Sequence, residues 1–307
     1  MRIGIMVGSM DIPPSLMGQV QWAEDAEQQG FDSFWLPQVF GADVLTVIAL
    51  AGQRTNRIEL GVAVVPTFPR HPVVLAQQAL TAQTATGGRF TLGIGVSHQS
   101  TIEDWLGLSY DKPARHIREY LSVLRPLLNE EGVDFHGREF RVNGALQVPD
   151  AMPCPVLVAA LGPVMLGIAG ELADGTITWM AGVKTVESHI VPRIRAAAAG
   201  AGRPEPRVCV GVPVAVTDNA EGARERAARL LHSYGLLPSY RRMLDMEGVQ
   251  GPADVAVVGN EADVEQQLRS FADAGATDIL ATVFSVDASP TSVERTNSLL
   301  QSLVGRI

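Results

Sequence analysis

Gly87-Gly88-Arg89-Phe90-Thr91-Leu92-Gly93-Ile94-Gly95-Val96-Ser97-His98 opens as a turn and continues as an apolar run rich in β-formers, the pattern of a buried strand. Gly93 and Gly95 fall on one face of that strand. Glycine weakens a strand, so the pair marks either a close approach to the backbone by a ligand or tight packing against a neighbouring strand. Ser97 and His98 follow at its carboxyl end, which is where ligands bind in a parallel α/β protein. A dinucleotide-binding fingerprint is excluded. His98 stands where the third glycine belongs, and the residues up to Pro113 read as a loop rather than a helix.

Working outward, strands and helices alternate along the chain. Strands are expected at 2–7, 31–37, 58–65, 90–96, 156–161, 175–180, 208–216 and 277–286. Helices are expected at 17–29, 43–52, 72–86, 114–128, 163–172, 185–199, 219–231, 234–248, 261–274 and 290–303. Eight such units predict a (β/α)8 barrel, a TIM barrel, with a doubly wound open sheet as the alternative. The 307 residues suffice for one barrel domain spanning 1–307. Segments 98–113, 129–150 and 232–254 read as insertions, the second holding a short hairpin turning at His136-Gly137. At least one of them is expected to cover the active face.

Composition narrows the function. A formal net charge of −9 argues against nucleic acid and anionic membrane surfaces as partners. The longest uncharged apolar stretch, 151–170, is broken by Pro153, Pro155, Gly162 and Pro163, so it reads as strand, turn and helix rather than a membrane span. Met1-Arg2-Ile3-Gly4 runs straight into a strand rather than a signal peptide, and a cytoplasmic setting is expected. Cys154 and Cys209 read as buried thiols of a reducing compartment, neither a disulfide nor a metal site.

The expected strand ends supply Gln38, Pro66-Thr67, Ser97-His98, Gly162, Trp179-Met180, Pro213 and Phe284. They hold no pair of carboxylates, no Ser-His-Asp set and no metal-ligand cluster. Such a mouth suits an organic cofactor that carries the difficult chemical step.

Three further blocks accompany the opening stretch: Gly61-Val62-Ala63-Val64-Val65-Pro66-Thr67-Phe68-Pro69-Arg70-His71-Pro72, Ala159-Ala160-Leu161-Gly162-Pro163, and Val258-Gly259-Asn260-Glu261. Together they resemble the luciferase-like oxidoreductases, and more closely the branch that uses the deazaflavin coenzyme F420. The resemblance implies a bacterial luciferase-like barrel with insertions, a homodimer, a small-molecule substrate and a flavin-type ring at the strand ends. It implies a non-prolyl cis peptide between Ala63 and Val64 behind the ring, and contacts from Thr67. It places Gly95, Val96, Ser97 and His98 beside ring and tail. Ala159, Ala160, Leu161 and Gly162 fall at the tail phosphate, where a glycine turn into a helix N-terminus is itself an anion site. Trp179, Met180 and Ala181 border the cofactor. Gln38, His71 and His98 are the candidate catalytic groups.

One departure is informative. After the second strand, Gln38-Val39-Phe40 replaces the Asp-His pair of several deazaflavin dehydrogenases. That favours a reductase, acting on an unsaturated or carbonyl-bearing small molecule, over an alcohol or sugar-phosphate dehydrogenase. An FMN-dependent monooxygenase and a non-catalytic flavin-binding barrel are the alternatives. Tyr110 and Tyr234 are further candidate proton donors. Arg70, Arg241 and Arg242 are candidate grips for an acidic cofactor tail.

Overall fold

Strand β1 (Arg2–Met6) is followed by helix α1 (Leu16–Gln28), and the same alternation carries the chain once around. Next come β2 (Ser33–Leu36), α2 (Val44–Gly52), β3 (Glu59–Val62), α3 (Pro72–Ala85), β4 (Phe90–Gly95) and α4 (Pro113–Leu128). Then follow β5 (Val156–Ala159), α5 (Pro163–Leu172), β6 (Gly175–Trp179), α6 (Val191–Gly200) and β7 (Arg207–Val216). Helices α7 (Ala220–Gly235), α8 (Pro238–Glu247) and α9 (Glu261–Asp273) precede β8 (Asp278–Val283) and α10 (Thr291–Leu303). The computed structural model describes residues 1–8, 15–286 and 291–307, so the expected helix start at Pro290 lies outside the described residues.

All eight strands run parallel. β1 pairs with β2 on one side (Ile5 opposite Phe34) and with β8 on the other (Gly4 opposite Leu280), which closes the sheet. The barrel is therefore realised, and the open sheet is not. Helix ends follow local chemistry: Asp43 accepts from the Thr46 N–H at 3.0 Å to cap α2, Asn219 caps α7, and Pro163 occupies the first position of α5. Inside the barrel, Met6, Trp35, Leu157, Ile177, Cys209 and Leu280 fill the lumen. Trp35 fits because Gly61 opposite it has no side chain; a Cβ there would lie 2.1 Å from the indole. Both cysteines are buried free thiols.

Local departures from the expected boundaries have identifiable causes. β3 stops at Val62, and the chain rejoins the sheet only at Val65–Pro66, with Val65 opposite Ile94 of β4. The loop after β4 contains a π-type turn, Thr101–Trp105. The helix expected from 185 starts with a single turn, Val183–Thr185, and a π-type stretch, Val186–Ile190, before α6. The hairpin pairs Val133–His136 with Arg141–Gly144, and the Glu119 carboxylate accepts N–H bonds from residues 138, 139 and 140 of its turn. It packs on α4, where Phe140 lies 5.4 Å from His116 and 5.7 Å from Tyr120. Among the described residues no helix is long and apolar enough to cross a membrane.

The amino end of the barrel is closed by charge. Arg207 at the start of β7 reaches Asp278 (2.6 Å) and Glu59 (2.8 Å), and Arg2 pairs with the same two carboxylates. Asp278 is 1% exposed. Burial pushes its carboxyl up, but the Arg207 and Arg2 guanidinium groups and two hydrogen bonds outweigh this and hold it below its ordinary value. A depressed carboxyl stabilises the fold above its unfolded value, near 3.8, and that contribution is lost as pH falls through the folded value. Replacing Asp278 by Ala leaves Arg207 half compensated and is expected to cost about 3–5 kcal/mol, read by urea unfolding at pH 7. The difference from the parent protein should shrink below pH 4.

Candidate active site

The carboxyl ends of β3 to β7 form the mouth of the barrel. The Ala63–Val64 peptide is cis, as the resemblance implied. It lies in the gap between the two pieces of the third strand, and the Val64 side chain is directed at β4. There the two glycines find their reason. A Cβ on Gly93 would lie 2.1 Å from the Val62 carbonyl oxygen and 3.0 Å from Val64 Cγ1; on Gly95 it would lie 2.8 Å from Val64 Cγ2 and 3.0 Å from the Ala159 Cβ. The glycines thus admit the neighbouring strand, and Ala63, Val64 and Ala159 present the half-buried surface of the mouth. Thr67 lies behind that surface. It is fully buried, its N–H donates to the Gly95 carbonyl at 2.9 Å, and its hydroxyl meets His116 Nε2 at 3.0 Å. Burial drops the His116 imidazole to about 4, so it is neutral at physiological pH.

Past β4, Val96, Ser97 and His98 are half-buried, and Ser97 takes a left-handed conformation, φ 59°. Tyr110 Oη donates to its carbonyl at 3.2 Å. Past β6, Met180 is also left-handed, φ 52°, and its N–H donates to the Gly211 carbonyl. Non-glycine residues in this region concentrate at functional sites. Met180 and Ala181 are buried, so Trp179 is the residue that β6 offers to the opening.

An aromatic row spans the mouth. The His98 ring lies 5.9 Å from Tyr240, Tyr240 lies 5.3 Å edge-on from Tyr234, and Tyr234 lies 6.2 Å from Trp179. Tyr240 and Tyr234 come from the 232–254 insertion and the helix leading into it, so this insertion roofs the opening. The Glu247 carboxylate of α8 ties the roof down by accepting from the Lys184 and Thr185 N–H groups. Burial lowers His98 below its ordinary 6.5 and raises Tyr240, so His98 is largely neutral at pH 7 and the phenol is protonated. The Trp179 indole N–H is buried without a partner among the described residues.

Between β4 and β6, the end of β5 turns at Ala160-Leu161-Gly162 into α5. Among the described residues no side chain caps that helix and a Cβ on Gly162 would meet nothing within 4 Å; Pro163 has no N–H to offer. An uncapped, unobstructed helix N-terminus next to an aromatic wall has the shape and polarity for an anionic tail attached to a flat ring. Among the described residues no three His, Cys, Asp or Glu side chains gather as metal ligands.

The sequence profile of the luciferase-like monooxygenase family matches residues 2–278. The chain belongs to that family. A 5,10-methylenetetrahydromethanopterin reductase of Methanolobus tindarius is 29% identical over 93% of this chain and 87% of its own length. In fold, the chain resembles the coenzyme F420-dependent tetrahydromethanopterin reductase of Methanopyrus kandleri, with TM-score 0.78, 22% identity and coverage of 98% and 96% of the two chains. It also resembles the FMN-bound oxygenating constituent of the 3,6-diketocamphane monooxygenase of Pseudomonas putida. There the TM-score is 0.76, with 18% identity and coverage of 100% and 99%.

In this luciferase-like chain, several residues picked from sequence have protein partners of their own. Gln38 Oε1 accepts from the Val44 N–H at 3.0 Å and its amide donates to Val39, so it serves the start of α2. His71 caps α3 through Nδ1 and meets Phe140 of the hairpin edge-on. Arg70 pairs with Asp43, and Arg241 binds Asp245 and the carbonyls of residues 249 and 250. Tyr240 is the mouth residue that sequence reading passed over. Its local surroundings resemble any helix, and only the folding back of the insertion brings it to His98. For the β3–β4 interlock, Gly93→Ala is expected to destabilise by about 2–3 kcal/mol in thermal unfolding, since the methyl meets a backbone carbonyl. Gly95→Ala should cost less, and Val64→Ala in the same chain should recover part of that loss.

Proposed function

We propose that this chain is a coenzyme F420-dependent oxidoreductase of the luciferase-like class that reduces a small unsaturated or carbonyl-bearing compound. The observation that carries this reading is the juxtaposition, on three neighbouring strands, of His98, the open turn at Gly162 and Trp179. The names of its relatives support it: the solved Methanopyrus reductase is F420-dependent. The mouth fits such a group. The Trp179 indole N–H is buried with no partner among the described residues, and the uncapped α5 start offers backbone N–H groups to a phosphate.

When bound, the deazaflavin supplies or accepts the hydride. The chain's own part is positioning, water exclusion and proton supply. Val64, held by β4, backs the ring; the turn at Gly162 takes the tail phosphate; the roof residues Tyr234 and Tyr240 exclude water. His98 is the proton donor toward the substrate, with Tyr240 beside it. Gln38 and His71 each hold a helix start through a side-chain hydrogen bond, which favours His98 for this role.

FMN-dependent monooxygenation is the second reading, favoured by the FMN-bound neighbour and by the sufficiency of one helix terminus for one phosphate. Arg241 is held by Asp245 and two carbonyls, and Arg70 by Asp43 through Nη2, leaving its buried Nη1 without a partner among the described residues. Arg242 is exposed and is the remaining candidate for the acidic extension of F420. Fluorescence titration separates the readings: F420 should bind more tightly than FMN, with only modest weakening by salt. Tighter binding of FMN overturns the assignment.

Two variants sharpen the test. Gly162→Val should weaken F420 binding by about tenfold or more while leaving the melting temperature unchanged, because φ is an ordinary −79° and the added side chain points into open space. The pH dependence of substrate reduction reports on His98. The protonated imidazole is the donor, so the rate should fall as pH rises through an apparent value below 6.5. His98→Ala should abolish that limb in stopped-flow measurements.

A further inference from the structure

Behind the mouth, His189 lies in the π-type stretch before α6 and is 4% exposed. Its Nε2 is 2.7 Å from the carbonyl oxygen of Leu161. A carbonyl can only accept, so Nε2 carries a proton, and the buried Nδ1 has no partner among the described residues. The neighbouring carbonyls of the same turn have other surroundings. The Thr176 hydroxyl donates to the Val158 carbonyl at 2.9 Å and lies 3.4 Å from the Ala160 oxygen, and the Gly162 oxygen accepts the first intrahelical bond of α5 from the Leu166 N–H at 2.9 Å. Of the three, the Leu161 carbonyl is the one anchored by a dedicated side-chain donor, His189. The N–H groups of Leu161 and Gly162 have no partner among the described residues.

We propose that His189 is a positioning residue for anion binding. By anchoring the Leu161 carbonyl it fixes the peptide planes of the 160–162 turn, so that the N–H groups at the start of α5 face a phosphate. This rests on placing the cofactor tail at that turn. A buried imidazole kept with one nitrogen unsatisfied is unfavourable for folding alone. An apolar side chain of similar size would fill the space without that penalty, and the orientation of the turn is what the imidazole adds.

The test uses His189→Leu and His189→Gln, with F420 and its phosphate-free deazaflavin chromophore as the two ligands, each titrated by fluorescence. The parent protein is expected to prefer F420. His189→Leu should weaken F420 by about tenfold and leave the phosphate-free chromophore within about twofold, and His189→Gln, whose amide N–H reaches the same carbonyl, should restore most of the loss. Equal weakening of both ligands would mean a general packing role and overturns the proposal, as does a leucine variant that keeps the full preference. A parent protein that binds both ligands equally overturns the tail placement itself, which separates the two failures. If the leucine variant does not fold, His189→Met carries the same comparison.

Discussion

Val64 leans on β4 because positions 93 and 95 carry no side chains to hold it off. Much of the mouth depends on this contact. It lets the third strand leave the sheet at Val62 and return at Val65, and it puts the Val64 side chain against Gly95 and Ala159 at one height. A methyl on Gly93 would strike backbone, which cannot give way as a flexible side chain can. The surface offered to a flat ring is therefore built from atoms with almost no rotational freedom, as preorganised binding requires.

The two ends of the barrel divide their tasks. At the amino end, Arg2, Glu59, Arg207 and Asp278 neutralise one another, and Arg89 donates to the carbonyls of Gly52, Thr55 and Ile58. Polar groups there are bonded to partners within the protein. At the carboxyl end, the Trp179 indole N–H, His189 Nδ1 and the N–H groups of the Leu161–Gly162 turn have no partner among the described residues. In a barrel, unmet polar capacity at the carboxyl end is capacity for a ligand.

The barrel was legible because its strands are nearly continuous apolar runs and its helices carry their own start and stop signals: Asp43 and Pro163 at starts, Gly30 at a stop. The block at 87–98 disclosed the strand and the end that reaches the mouth of the barrel. Other facts were not local. A glutamine at the end of β2 and a histidine before α3 have the chemistry of active-site residues. That both are consumed as caps depends on where the next helix begins, to within one residue. The π-type turns at 101–105 and 186–190 follow no simple repeat, so the phase that buries His189 behind the α5 turn was hidden. Tyr240 becomes a mouth residue through a tertiary fold-back that leaves no periodic trace. The two glycines were visible, but whether ligand or protein filled their space required Val64 in three dimensions.

Strand β7 has a different neighbour in each half. Residues 207–211 pair with β6, whereas residues 214–216 pair with the short strand Val257–Gly259, which arrives only after the α7–α8 excursion. The lower ladder that closes the cylinder is thus complete before the roof is reached. The upper ladder clips the returning end of the roof in place as a separate joint. Chain between residues 217 and 256 can lengthen, shorten or be exchanged without breaking any rung of the cylinder. The molecule is in effect a fixed cup with a detachable cover. What the cup holds and what the cover admits are properties that can change independently.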